Sequence, residues 1–505
     1  MKKSYILSPS LIRTTGACTM LFLILLLSAC SKKRNHTIQS PDDIRGAVIG
    51  VQLGTTGDVE ASKFEGDKAG TLIERYTKTA DAIQALTQGK IDCVIDDEQP
   101  SLAFVSQNNN IKILPQKFHK ENFAFCFAKD NEELRNKVNY AIDKLRKNGI
   151  IDSIENLHIH KNITRAYQEK NIKRNNGTLV IATNATYKPY EYYDNGNIVG
   201  IDIDIMQAIC DILGMNMDIE DMNFDAVITS VQTGKADIGA SGITVTPDRK
   251  KNILFSHPYT SCNLVVTVRQ GAIKTQHTSL VQKFKDNFIT EHRYRYLLEG
   301  LGNTLIITVF AILISLVLGT LIAIVRTTHD SNGNYLLLNL LCKFYLTIIR
   351  GTPTMVQLLI IYYVVFAAAD ISKVFVAIVA FGLNSSAYLA EVVRSGISSI
   401  DKGQMEAGRS LGLSYAQTMR LVILPQAFKN VLPAIGNELI TLLKETSISG
   451  YIGLVDLTKG SDIIRSITYD AIMPLTFVAL IYLTIVMGLS AGVSHLEKKL
   501  NKHER

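Results

Sequence analysis

The run Thr304–Val325 contains no charged residue and closes on Arg326. As a helix it is about as long as the hydrocarbon core of a bilayer is thick. In that medium every backbone polar group must be satisfied within its own segment, so the run is a helix or it is not in a membrane. Three similar runs come after it, Val356–Ala369, Val374–Ala390 and Ala471–Val493, and a fifth, Val431–Leu454, is interrupted by Glu438, Lys444 and Glu445. The stretch from Gly302 to Asn501 is therefore expected to be an all-α membrane domain of about five transmembrane helices. With an odd number of spans, Arg326, Arg394 and the Lys498, Lys499 and Lys502 tail share one side of the membrane, and an excess of cations marks the cytoplasmic side.

The first half of the chain is different in kind. Overall composition, 47% hydrophobic and 20% charged, averages a polar half with an apolar one. The net charge of +7 is spread out, without a basic cluster interleaved with aromatics, which argues against a nucleic-acid partner. At the start, Lys2, Lys3 and Arg13 precede the short apolar run Met20–Leu27 and then Ser28-Ala29-Cys30. That arrangement describes a secretory signal rather than a span. Leu27-Ser-Ala-Cys30 resembles a bacterial lipobox, which implies lipidation of Cys30 and export of the chain beyond it. Cys93, Cys126, Cys210, Cys262 and Cys342 have no metal-ligand spacing and are expected in cores, not in a disulfide framework.

After a polar tether over residues 31–43, short apolar runs alternate with helical patterns. Ala47–Val51 and Ile91–Ile95 predict buried strands; Asn131–Lys147 predicts an amphipathic helix with Asp130 as its N-cap and an end near Asn148-Gly149. The alternation predicts an α/β lobe over residues 44–158. Residues 159–177, rich in Lys, Asn and Arg, predict a linker. A second α/β lobe starts at Thr178–Ala182 and covers residues 178–270, with a connector over 271–303 before the membrane domain of residues 304–495. The fold class is thus multidomain, an exported two-lobe α/β region followed by membrane helices.

Within the membrane half, Glu406-Ala-Gly-Arg-Ser-Leu-Gly412, followed by Val422-Ile-Leu-Pro425, is a charged helix among apolar spans. Ala407 and Gly408 keep its surface low, Gly412 permits a turn, and Pro425 is expected to stop the next helix. The segment, residues 401–425, resembles the coupling motif of ABC-importer permeases, which implies docking on a separate ATPase through Glu406. No Gly-x-x-x-x-Gly-Lys-Ser/Thr phosphate loop occurs in the chain, so ATP hydrolysis by that route is assigned to a partner subunit. Arg350-Gly-Thr-Pro353 and Lys444-Glu-Thr-Ser447 resemble the polar amino-acid branch of these permeases. Ionisable residues at membrane depth face the bundle interior or water, so Glu438, Lys444 and Glu445 are pathway candidates. One chain supplies about half of the usual spans of such importers, which favours a second copy as partner.

The exported half resembles the periplasmic-type amino-acid-binding fold. A zwitterion needs a fixed cation for its carboxylate and a fixed anion for its ammonium. Ser241-Gly-Ile-Thr-Val-Thr-Pro-Asp-Arg249 matches the family's carboxylate clamp, which implies Arg249 on the α-carboxylate with Ser241, Gly242 and Thr244 beside it. Asp97, in Ile95-Asp-Asp97, matches the position that takes the ammonium. Asn184 and Tyr187, in Asn184-Ala-Thr-Tyr-Lys-Pro189, and Phe224 match pocket walls; Gln52, Thr55 and Thr56 match the other lobe's contribution. The uncharged Asn184 and Gln52 favour a glutamine-like side chain, with arginine, histidine and cystine open. No metal or cofactor is expected.

One departure stands out. The lobe with the clamp precedes the other in the family; here it comes second. The family's C-terminal signature, resembled by Phe123-Ala-Phe-Cys-Phe-Ala128 and the helix after it, lies before the linker. The order fits a circular permutation that rebuilds one cleft, lobes complementing each other across two chains, a truncated tandem receptor, or a degenerate receptor that no longer binds. The implied function is ATP-driven import of a polar amino acid. A membrane-anchored sensor is the alternative; an exported enzyme lacks a nucleophile–base constellation in the sequence.

Overall fold

The computed structural model describes residues 38–270, 279–367, 371–468 and 470–502. The signal segment, Cys18 and Cys30 lie outside the described residues.

Two sheets form the α/β half. The first contains β1 (Val48–Gln52), β2 (Leu72–Tyr76), β3 (Cys93–Asp97) and β4 (Ile111–Phe123). The second is built on β5 (Cys126–Phe127) and β6 (Thr178–Thr183), and β7 (Thr186–Tyr187), β8 (Glu191–Asp194) and β9 (Asn197–Val199) form a small separate three-stranded sheet. β10 (Asn216–Asp221), β11 (Ile238–Gly239) and β12 (Leu254–Phe255) complete the second sheet in the order β10-β6-β11-β5-β12. The last strand, β13 (Thr260–Arg269), returns to the first sheet, whose order is β2-β1-β3-β13-β4. β1 pairs in parallel with β2 and β3, as alternation with helices requires, while β13 runs antiparallel between β3 and β4.

This partition corrects the expected boundaries of both lobes. Residues 260–269 belong to the first lobe, where Leu264, Val266 and Val268 enter a core with Ile49, Val51 and Ile95. The helices Glu132–Lys147 and Ile150–Lys161 belong to the second, where Val138, Ile142 and Ile154 pack with Ile181 and Ile205. Both crossings, β4 to β5 and β12 to β13, run side by side between the lobes, and such paired extended segments are where two bodies hinge. The expected tether also ends earlier, because Ile38 and Ile44 are buried in the first lobe. The expected linker is pinned along the helix Ile201–Leu213: the Tyr167 hydroxyl donates to Asp211 (2.8 Å), and the Ala166 and Tyr167 N–H groups donate to Asp204 (2.6 and 3.1 Å). Asn131, not Asp130, caps the helix Glu132–Lys147, accepting from the Leu134 N–H.

Below the lobes, three described helices are long and apolar enough to cross a bilayer: Tyr294–Asn332, Lys373–Ser398 and Ile472–Lys499. A fourth span arises if Leu336–Gly351 and Thr354–Val365 count as one, bent by 110° at Pro353. The helix Leu424–Glu445 does not qualify among the described residues, so the expected five spans reduce to three or four by this criterion. Its four ionisable residues, Lys429, Glu438, Lys444 and Glu445, lower its apolar content, and its continuation is a short 3-10 turn, Thr446–Ile452, rather than further helix. Pro425 does not stop a helix. It comes just after the π-helical turn Met419–Ile423, and the chain stays helical through it.

Candidate functional site

The two lobes meet over a narrow cleft. Gln52, Thr55, Thr56 and Asp97 line it from the first lobe; Asn184, Tyr187, Phe224, Ser241, Gly242, Thr244 and Arg249 line it from the second. Every residue expected at the cargo site is in this lining, and all come from one chain. The free space is about 10 Å³, room for about one water, so the lobes are closed over it.

Local folding positions these groups. Thr55 caps the helix Thr56–Ser62 by accepting from the Asp58 N–H at 3.3 Å, which sets Thr55 and Thr56 at the helix start that borders the cleft. Gly242 has φ of +51°, and a Cβ there would stand 3.3 Å from the Tyr187 ring, so the backbone runs close beneath the aromatic wall. Below it, the Gly242 N–H donates to Asp202 (2.9 Å) and the Ser241 hydroxyl to Glu191 (2.8 Å). Arg249 begins in the first turn of the helix Pro247–Asn252, where Thr246 accepts from its N–H at 3.2 Å.

The charges in the cleft are poorly answered by one another. Arg249 spends its guanidinium on carbonyls: Nη1 donates to Thr244 O (2.8 Å) and Nη2 crosses to Gly54 O of the first lobe (2.9 Å). Its Cζ also stands 5.6 Å over the Phe224 ring. Asp97 meets no cation among the described residues. The Tyr187 hydroxyl lies against both Asp97 and Asp96, the latter at 3.1 Å. A phenol has one proton for two carboxylates, so the group of three is short of protons when both acids are ionised. Burial first, then the neighbouring carboxylates, raise Asp97 well above the usual range, and burial pushes Asp96 up to about 7.

A third carboxylate, Glu121, belongs to no motif in the sequence. It is buried and accepts from the hydroxyls of Thr56 (2.7 Å) and Thr244 (2.6 Å), one from each lobe. Its other oxygen faces His119 Nε2 at 3.1 Å. The signal was present: Glu121 and Phe123 lie two apart on β4 and so share one face, which places an acid beside an inward-facing aromatic. At the far wall, Gln52 Nε2 donates to Asn184 Oδ1 across the lobes at 3.2 Å, and Thr79 donates to Gln52 Oε1 at 3.0 Å.

The lobes also rest on the membrane domain, with the short helix Leu457–Thr468 touching both of them. Lys459 pairs with Asp221 of the second lobe at 2.8 Å. Asp462 pairs with Lys78 of the first lobe at 3.5 Å, and Arg465 with Asp81. Spaced by three, these residues lie along one face. Lys373, at the start of a membrane helix, adds Glu220 at 3.4 Å.

At the other end, the expected coupling residues form the helix Lys402–Ser410, capped by Asp401. Glu406 and Ala407 are exposed, and Leu411 is 83% exposed. Gly408 is buried against Thr418, where a Cβ would stand 2.4 Å from the Thr418 methyl. Gly412 has φ of +85° and turns the chain into the next helix. Of the pathway candidates, Glu438 is half-buried and accepts from Ser385 at 2.8 Å; Glu445 lies two turns on, and Lys444 is exposed.

Comparison with known proteins adds a family match and a set of similar permeases. Residues 179–446, more than half of it, match the family described as bacterial extracellular solute-binding proteins, family 3. Over 211 residues the chain is 38% identical to the arginine transport system permease protein ArtQ of Bacillus subtilis (strain 168), covering 41% of this chain and 94% of that protein. Over 207 residues it is 39% identical to the putative glutamine transport system permease protein GlnP of Rickettsia typhi, covering 41% and 93%. Among solved structures, an amino acid ABC transporter with histidines matches at 40% identity over 42% of this chain and 98% of its own, with a TM-score of 0.38.

Proposed function

We propose a cargo and an energy source from one premise: the chain belongs to the bacterial extracellular solute-binding proteins, family 3, and joins that receptor to the permease domain of an amino-acid ABC transporter. It therefore serves amino-acid import as a transport subunit and not as an enzyme. The finer reading is a fused receptor and permease that imports a polar amino acid, glutamine-like in its side chain, with ATP hydrolysed by a separate subunit and a second copy completing the pore. The receptor half faces the outside of a bacterial cell membrane, and Cys30 carries a lipid anchor.

The observation that carries this reading is the closure of residues from both lobes over one cleft within one chain. It supports permutation over swapped lobes or a decayed receptor. Arg249 trades its two carbonyl acceptors for the cargo's carboxylate, and the Asp96–Asp97 pair gives up its shared proton for the cargo's ammonium. The Gln52 and Asn184 amides then meet the distal end. Closed lobes hold Lys459, Asp462 and Arg465 from both sides, and the exposed face of Glu406, Ala407 and Leu411 receives the ATPase.

A second cargo class has one observation in its favour. Asp96, Asp97 and Glu121 outnumber Arg249, which suits a cation such as arginine. The amide-lined far wall and the raised Asp96 and Asp97, which reduce the ionised charge, keep the neutral cargo first.

Calorimetry on the full chain in lipid nanodiscs, with a panel of amino acids and Arg249→Ala beside it, tests both. The expected result is micromolar binding of glutamine, weakened at least about a hundredfold in the variant by loss of two charge-assisted bonds. Tighter arginine binding selects the second class. Binding without co-purification of an ATPase leaves the sensor, and no binding by a folded chain leaves a receptor that has decayed.

A further inference from the structure

A cavity of about 560 Å³ lies at the end of the membrane domain away from the lobes, lined by Arg326, Lys343, Arg350, Tyr388 and Glu391 among others. The helix Lys373–Ser398 fixes its depth. Lys373 at one end touches the second lobe, and Glu391 stands eighteen residues further on, roughly 27 Å away at the α-helical rise. The cavity is therefore at the opposite face of the apolar layer.

Its charge is unbalanced. Glu391 is the one carboxylate in the lining, and it already serves Arg326 at 2.5 Å and Arg394 at 2.9 Å. Arg350 is left stacked over the Tyr388 ring at 5.8 Å. Arg326 Nε is buried and finds no acceptor among the described residues. Three cations of the lining, with Arg394 beside them, thus share one anion around an open space, which leaves a net positive charge there for a further anion.

The helix that carries Lys343 and Arg350 says what kind of anion. Leu336–Gly351 is set at 110° to Thr354–Val365, the helix that follows it, so the two do not form one straight span. Leu336, Leu337, Leu340, Leu341 and Phe344 are 52–71% exposed and lie on one face of it. Lys343 and Arg350, seven apart, flank that face on the cavity side. An apolar face edged by cations is the pattern of a helix lying in the headgroup boundary.

We propose that this cavity binds the phosphate of an anionic phospholipid headgroup, with the acyl chains along the leucine face of Leu336–Gly351. Arg326 Nε, Lys343 and Arg350 are the donors. Free inorganic phosphate shares the same charge chemistry but makes no use of the exposed leucines.

Native mass spectrometry of the detergent-solubilised full chain tests the site, with phosphatidylglycerol, phosphatidylcholine and inorganic phosphate as probes. Phosphatidylglycerol is expected to be retained at least about tenfold better than phosphatidylcholine and to lose that advantage in Lys343→Gln/Arg350→Gln. A control, Lys498→Gln/Lys499→Gln, is expected to keep it. Amino-acid binding by the same samples reports that the chain is folded and does not depend on this cavity. Equal retention of both lipids, or an unchanged preference in the Lys343/Arg350 variant, overturns the proposal. So does full competition by millimolar inorganic phosphate, which would identify a free-anion site. Loss of ATPase co-purification with lipid retention intact would reassign the surface to a protein contact.

Discussion

The cleft between the lobes and the seam between lobes and membrane domain are both polar, both buried and both built from charged side chains. They differ in how the charges are answered. At the seam, Lys459, Asp462 and Arg465 each have a counter-charge on a lobe, and Lys373 meets Glu220. In the cleft, Arg249 is bonded to two carbonyls, and Asp96, Asp97 and Glu121 are bonded to hydroxyls. A seam between two parts of one chain is complete by itself. A site for a charged molecule keeps its charges on weak neutral partners until the molecule arrives.

If that contrast is right, the largest effect belongs to the cleft. Asp97→Asn removes the anion that takes the cargo's ammonium and leaves its shape intact. Affinity is expected to fall about a hundredfold, on the order of 3 kcal/mol for a charge-assisted bond lost in a buried site. Calorimetry on the full chain measures it. A change of less than about threefold would mean that Asp97 is held by Tyr187 for structure alone.

The seam is expected to behave in the opposite way, with binding kept and transport lost. Lys459→Met leaves Asp221 buried without its cation, and the lobes relieve that cost by undocking. Uptake into vesicles with the ATPase partner is expected to drop about tenfold, with cargo affinity unchanged. The exchange Lys459→Asp/Asp221→Lys is expected to restore part of the uptake. Loss of cargo affinity in the single variant would show that the seam and the cleft are one cooperative unit.

How far each region was legible depends on where its information sits. Asp97, Tyr187 and Arg249 lie in short local motifs, so their chemistry could be read although the lobes come in reversed order. The seam pairs residues far apart in the chain, Asp81 with Arg465 and Asp221 with Lys459, and no local pattern marks such partners. The same holds for β13. Its alternation reads as a strand of the nearest lobe, but its apolar face fits the core of the other. Glu121 sits between the two cases, visible by its two-residue spacing from Phe123 but without a motif of its own. The membrane half was legible in its longest apolar runs and least so at Leu424–Glu445, where Glu438, Lys444 and Glu445 break the pattern.

Acidity separates the two regions more gently. Asp96 rises to about 7 in the closed cleft, against 3.8 when open to water. A carboxyl raised in this way favours the closed lobes below its ordinary range, and that contribution is lost as the pH climbs through about 7. The ammonium of the cargo prefers the ionised pair, so it must displace a proton at low pH. Affinity is expected to rise about tenfold from pH 5 to pH 8 and then level, flattening in Asp96→Asn. Calorimetry in buffers of different ionisation enthalpy reads the released proton directly.

The smallest effect is the most useful for the cargo. Glu121→Gln keeps the bonds to Thr56 and Thr244 and removes one negative charge from beside the clamp. A zwitterion with a neutral side chain carries no net charge, so its affinity is expected to change by less than about threefold. A cargo with an extra positive charge loses an attraction worth roughly 1 kcal/mol at the dielectric of a partly wet cleft, and its affinity falls about fivefold. The ratio of glutamine to arginine affinity, measured in the parent chain and in the variant at the same salt, therefore reports whether the excess of carboxylates is read by the cargo. A rising ratio means that the third carboxylate helps select the cargo's charge. A constant ratio assigns Glu121 to the hinge, holding Thr56 to Thr244 so that the lobes close in register.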